Sequence, residues 1–145
     1  MNFSSLSAND RLAAGAAVVV VITGFISLAQ AWGILVAVSL LAAAGVLFVV
    51  LQPQVAPAVK LPMAKGMLML ALGAVSVVVL VIVALTWIDY ILTPPIFVFD
   101  TIQYFIGLIA AAVMLFAGWR EYQAGAGAGS PAAPPPPPPA PGGEA

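Results

Sequence analysis

The chain has no cysteine and no histidine, and only four basic and five acidic side chains in 145 residues. Without cysteine there are no disulfides, no thiol nucleophile and no thiolate ligands for iron–sulfur clusters. Without histidine there is no imidazole base, no histidine-ligated haem and no His-bound zinc. Charged residues make up 6% of the chain, against about 25% in soluble domains. So little charge cannot cover a fold in water. The net charge of −1 offers no basic surface to nucleic acid, so no nucleic-acid partner is expected.

What is present is apolar: 63% of the residues are hydrophobic. A bilayer core about 30 Å thick takes roughly 20 apolar residues as a helix, and the sequence predicts four spans. The first covers about 12–29 and the second 33–51, with only "QAW" between them. "QPQVAPAVKLPMAK" follows, and its prolines and lysines predict a polar loop. From Gly66 to Trp119 the chain is apolar almost without interruption. That is too long for one helix, and Pro94-Pro95 is the strong breaker inside it. The third span is therefore expected at about 66–88 and the fourth at 101–119. An Asp at the membrane centre costs about 2.5–3.5 kcal/mol, which also assigns Asp89 and Asp100 to the reversal. The expected fold is all-α: an integral membrane four-helix bundle over residues 1–122, followed by a disordered Pro/Ala/Gly-rich tail over 123–145.

The four basic residues set the direction. Arg11 precedes span one, Lys60 and Lys65 lie between spans two and three, and Arg120 follows span four. All four fall on one side of a four-span protein. The positive-inside rule then predicts a cell (inner) membrane protein with both termini cytoplasmic. Trp32, Trp87 and Tyr90 mark the outer interface, Trp119 and Tyr122 the inner one. A rival reading uses Ala29-Gln30-Ala31, which has the form of a signal-peptidase site; cleavage there would remove residues 1–31 and leave three spans. Against it stand Asp10 beside Arg11 and an apolar run longer than the usual h-region of about 7–15 residues.

Two internal alignments suggest a repeated hairpin. "LAAGAAVVVVI" from Leu12 matches "LALGAVSVVVL" from Leu70 at seven of eleven positions. "LLAAAGVLFVVL" from Leu40 matches "LIAAAVMLFAGW" from Leu108 at six of twelve. The alternative is chance, because Ala, Val, Leu and Gly dominate all four segments. The two alignments differ by ten residues, which would be an enlargement of the second hairpin's outer turn.

Helices in lipid associate through close packing at small residues. Gln103, Gly107, Ala111, Met114 and Gly118 follow helical spacing on span four. Gly15 and Ala16, and Gly73 and Ala74, offer similar patches on spans one and three. Gly15, Gly73, Gly107, Ala111 and Gly118 are accordingly the expected packing residues. Thr23, Ser27, Ser39, Ser76 and Thr86 are candidates for bonds within or between helices. No ionisable residue is expected deep in a span, which argues against ion-coupled transport. Asp89, Asp100, Tyr90, Thr93 and Thr101 are the polar groups of the outer side. They are read as loop ends rather than a catalytic or metal site, so neither enzymatic activity nor a cofactor is expected. "DTIQ" predicts Asp100 as an N-cap with Gln103 closing the box, and "SAND" predicts a cap at Ser7.

Two segments lie outside the spans. "ILTPPIFVF" is expected along the outer membrane surface. Its Ile91, Leu92, Pro94, Pro95, Ile96, Phe97 and Phe99 are the candidate partner contacts. The proline run of the tail favours polyproline II, a form that aromatic grooves recognise.

The opening "LSANDRLAAGAAVVVVITGFISL" resembles that of small uncharacterised four-span bacterial membrane proteins from high-GC Gram-positive and related bacteria. Those start with a short leader, an Asp-Arg or Asp-Lys pair and a Gly-containing first helix. The present chain keeps Trp32 after that helix but has no proline before it. The resemblance implies a multi-pass architecture and no particular activity. Together these readings predict a non-catalytic accessory or scaffolding component of a membrane assembly. Its partners would be the bilayer and other membrane proteins or itself. The alternative is a small oligomeric pore or transporter for neutral or apolar solutes.

Overall fold

In hydrocarbon a backbone has no water to bond, and the helix satisfies its own donors and acceptors within one segment. The computed structural model, which describes residues 6–29, 33–89 and 99–128, has four long helices. They are α1 (Ala8–Ala29), α2 (Leu35–Val55), α3 (Lys65–Thr86) and α4 (Phe99–Ala128). All four are long and apolar enough to cross a membrane. At ~1.5 Å per residue, α1 to α3 each extend a little over ~30 Å, and α4 extends ~45 Å. The molecule is thus a multi-pass helical bundle of the expected class.

Each helix packs on the next, and α4 closes the ring against α1. Neighbours are antiparallel. Asn9 near the start of α1 meets Ala117 and Glu121 late in α4; Gln103 early in α4 meets Ser27 late in α1. Arg11, Lys65 and Arg120 consequently stand at one end of the bundle, called here the basic end. At the opposite end, Gly33 has φ +93°, a left-handed conformation that costs glycine little, and its carbonyl accepts from Val36 N as α2 begins.

The helices extend beyond the expected spans at three places, the first of them foreseen in the Ser7 cap. First, α1 begins at Ala8, because Ser7 Oγ accepts the Asp10 N–H at 3.0 Å in the anticipated N-cap. Second, α2 runs through Pro53 to Val55 instead of stopping at Leu51. Proline in a final turn removes only one donor, and Gln52 ties the exit by donating Nε2 to the carbonyls of Ala56 and Val59. Third, α4 continues to Ala128, so residues 123–128 are helical rather than part of a disordered tail. An existing helix extends without a new nucleation cost, and alternate alanines partly offset the glycines, each about 1 kcal/mol less favourable than alanine in a helix. Residues 129–145 lie outside the described chain, as does the Gln30-Ala31 half of the signal-peptidase motif.

The repeat can be tested by burial. Shifting α2 by 68 positions carries all seven of its buried residues, Val36, Ser39, Ala42, Ala43, Val46, Val49 and Val50, onto buried residues of α4. The 58-position shift that maximises identity between α1 and α3 does the reverse. It pairs buried Gly66, Met69, Gly73, Ser76, Leu80 and Val83 of α3 with exposed residues of α1. A shift of 56 pairs all six with buried positions, among them Ala13, Ala17 and Val20. The α1–α3 alignment at 58 is therefore corrected. Its identities place like residues on opposite faces, as chance matches between Ala/Val-rich helices do.

Candidate functional site

The bundle interior has two polar regions separated by an apolar one. The apolar layer contains Ala13, Ala17, Ala43, Val46, Met69, Ala111 and Met114, all but fully buried. Small residues on α1 and α4 bring those helices close, and the flexible methionines fill the remaining space.

The first polar region lies at the basic end. Asp10 is 8% exposed, and its Oδ1 accepts from Lys65 Nζ at 2.5 Å. Lys65 also lies 3.7 Å from Glu121. Asn9 Nδ2 donates to Ala117 O and to Glu121 Oε2, both at 3.0 Å. Three helices are thereby joined by one ion-pair network. Lys65 was expected as a topology determinant, and the structure makes it a bundle contact as well. Lys60 stands in the α2–α3 connection. Arg120 is exposed, with its guanidinium carbon 5.9 Å from the centre of the Phe116 ring. The predicted Ser7 cap put Asp10 in the first helical turn but before the span, so its contact inside the bundle was not foreseen.

The second polar region lies toward the opposite end and carries no charge. Gln103 Nε2 donates to Thr23 O at 2.8 Å and Ser27 Oγ at 3.0 Å. Gln103 thus turns across to α1 instead of closing a capping box, and Asp100 lies within the first turn of α4. The reason is burial: at this position the amide replaces water by bonding a neighbouring helix. Ser39 and Ser76 share a hydrogen bond of 2.6 Å between α2 and α3. Tyr104 donates its hydroxyl to Leu80 O, tying α4 to α3. Thr23 and Thr86 bond back to their own helices. Among these groups is a cavity of about 10 Å³, lined in part by Thr23, Ser27, Ser39 and Tyr104. That is about the space of one water. Among the described residues these groups are therefore interhelical fasteners around a space for about one water.

Glycines set the closest approaches. A Cβ on Gly73 would lie 2.8 Å from Leu115 Cα, and one on Gly118 2.7 Å from Leu70 N. One on Gly107 would lie 2.6 Å from Thr23 Oγ1. Ala111 is fully buried in the core. Gly15 departs from the expectation: it is exposed and would meet nothing within 4 Å. It sits beside the packed stripe of Ala13, Ala14, Ala16 and Ala17, one position out of phase. Gly66, which the sequence reading passed over, packs closest, its Cβ position being 2.5 Å from Tyr122 N. Tyr104 was also missed; its place next to Gln103 and three residues before Gly107, both on the expected packing face, was the available signal.

Of the candidate partner contacts, Phe99 is 67% exposed. Ile91, Leu92, Pro94, Pro95, Ile96 and Phe97 lie outside the described residues, as do Trp32, Tyr90 and Thr93. Trp87 is exposed at the end opposite the basic one, and Trp119 and Tyr122 are exposed near the basic end. Among the described residues, no three metal-ligating side chains come together. The chain matches no protein-family model, no curated protein and no solved structure.

Proposed function

We propose that this protein is a non-catalytic accessory or scaffolding component of a membrane assembly, with its basic end and both termini in the cytoplasm. The observation that carries this reading is how little space the described interior holds. The polar side chains of the neutral region make helix-to-helix or back-bonding contacts, with Gln103 Oε1 the one buried acceptor among them that lacks a partner, and the space among them is about 10 Å³. A transport path would need polar groups facing a continuous wet cavity. Among the described residues the neutral region holds no Asp, Glu, Lys or Arg, which supports the same reading, since ion coupling uses such groups. Among the same residues Asp10 is the buried acid, and it lies at the end of the bundle. Exposed Phe99 and the adjoining apolar segment 91–97 are the proposed partner contacts. In liposomes of purified protein, neutral solutes should leak no faster than from empty vesicles. Reproducible flux would overturn the scaffold role and favour the oligomeric pore. In native membranes, deletion of residues 92–98 should spare insertion and remove co-purifying protein.

A further inference from the structure

A groove of about 420 Å³ runs along the outside of the bundle between α1 and α4. Its walls are apolar and include Gly15, Ala16 and Val19 from α1 and Ile106 and Val113 from α4; Arg11 stands at the basic end. From Arg11 to Val19 it spans about 12 Å along the helix. Arg11 Nε donates to Leu6 O at 3.0 Å, which holds the side chain at the groove's mouth. Asp10 turns into the bundle toward Lys65, while Arg11 is exposed. The exposed, cationic Arg11 side chain thus stands at the basic-end mouth of a groove on the outer face of the bundle.

We infer that this groove binds an anionic phospholipid, its phosphate on Arg11 and an acyl chain along Gly15, Ala16 and Val19. The charge selects the occupant. A guanidinium keeps its full positive charge while hydrogen-bonded, and a basic residue at the membrane surface attracts anionic headgroups. A second copy fits less well. Two chains in one membrane have the same orientation, so a symmetric contact through α1 would set Arg11 against Arg11 at one depth. The groove on the other flank of α4 measures about 340 Å³ and is lined by Leu70, Ala112, Leu115, Phe116 and Trp119; Arg120, set against Phe116, is the cation beside it and serves as the comparison for Arg11.

The test uses the full chain in mild detergent with equal amounts of phosphatidylglycerol and phosphatidylcholine carrying identical acyl chains. Native mass spectrometry then counts the lipid retained. Phosphatidylglycerol should be enriched about fivefold, the ratio given by about 1 kcal/mol per basic residue near the surface. Arg11→Gln should abolish the preference, and Arg120→Gln should leave it. Gly15→Phe should lower retention of both lipids; because Gly15 faces open space, that variant should keep the wild-type melting temperature. Equal retention of the two lipids by the wild type would overturn the inference. So would a preference that survives both Arg11→Gln and Gly15→Phe, or a dimer that Gly15→Phe dissociates.

Discussion

The two polar regions of the bundle solve the same problem with different chemistry. At the basic end, Asp10, Lys65 and Glu121 form charged contacts, and Lys65 keeps 28% of its side chain exposed. Toward the other end, Gln103, Ser27, Ser39, Ser76 and Tyr104 use neutral hydrogen bonds, with Ser76 fully buried. The difference follows from solvent access. A partly hydrated ion pair avoids much of the desolvation penalty that full burial imposes. Deeper in the bundle, neutral amides and hydroxyls cross-link helices at a smaller penalty. The basic end also has the closest backbone approaches, Gly66 on Tyr122 and Gly118 on Leu70, so it combines charge with tight α3–α4 packing.

Perturbing each region in turn would sharpen this contrast. The largest loss is expected from Gly118→Leu, which drives a side chain into the backbone at Met69 and Leu70. Overpacking of this kind costs about 1–3 kcal/mol and should lower the melting temperature in detergent clearly. Gly15→Leu, an equally large change on an open face, should stay within about 0.5 kcal/mol of wild type. Equal effects at the two glycines would remove the distinction between packed and open positions.

Asp10→Ala comes next, at about 1–2 kcal/mol, since Lys65 loses its closest partner but remains near Glu121 and partly hydrated. Its deficit should shrink at high salt, because salt weakens the wild-type pair. A salt-independent deficit would mean that packing rather than charge holds this end. Of the two polar substitutions the smaller effect is expected from Gln103→Leu, about 0.6 kcal/mol and at most about 1.7, the mean and the maximum measured for side-chain bonds between membrane helices. That loss should be insensitive to salt. A Gln103→Leu loss larger than that of Asp10→Ala, from urea or thermal unfolding, would reverse the ranking of the two regions.

Much of this was legible in the residue order. Long apolar runs, Pro94-Pro95 and the four basic residues gave the helix number and their alternation. Glycine at 73, 107 and 118 marked close approaches because small residues are what lipid-embedded helices pack on. The phase of α1 was not legible. In lipid, outward and inward faces are both apolar, so no amphipathic stripe separates Gly15 from Ala16. For the same reason, seven identities aligned α1 with α3 two residues away from the register that burial supports. Gly66, at the edge of an expected loop, gave no hint that Tyr122 would lie across it.

The sequence by itself determined the solvent and the architecture, because a chain with 6% charge and four apolar runs has no other way to satisfy its backbone. Only the tertiary structure decided which faces of those runs meet. It turned Gln103 from a cap into a cross-link and Asp10 from a flanking acid into an ion-pair partner. It also left Arg11 outward, at the head of a groove. The physical reason is that composition settles the transfer of a helix into lipid, whereas contact depends on rotation about its axis, which neighbouring helices set.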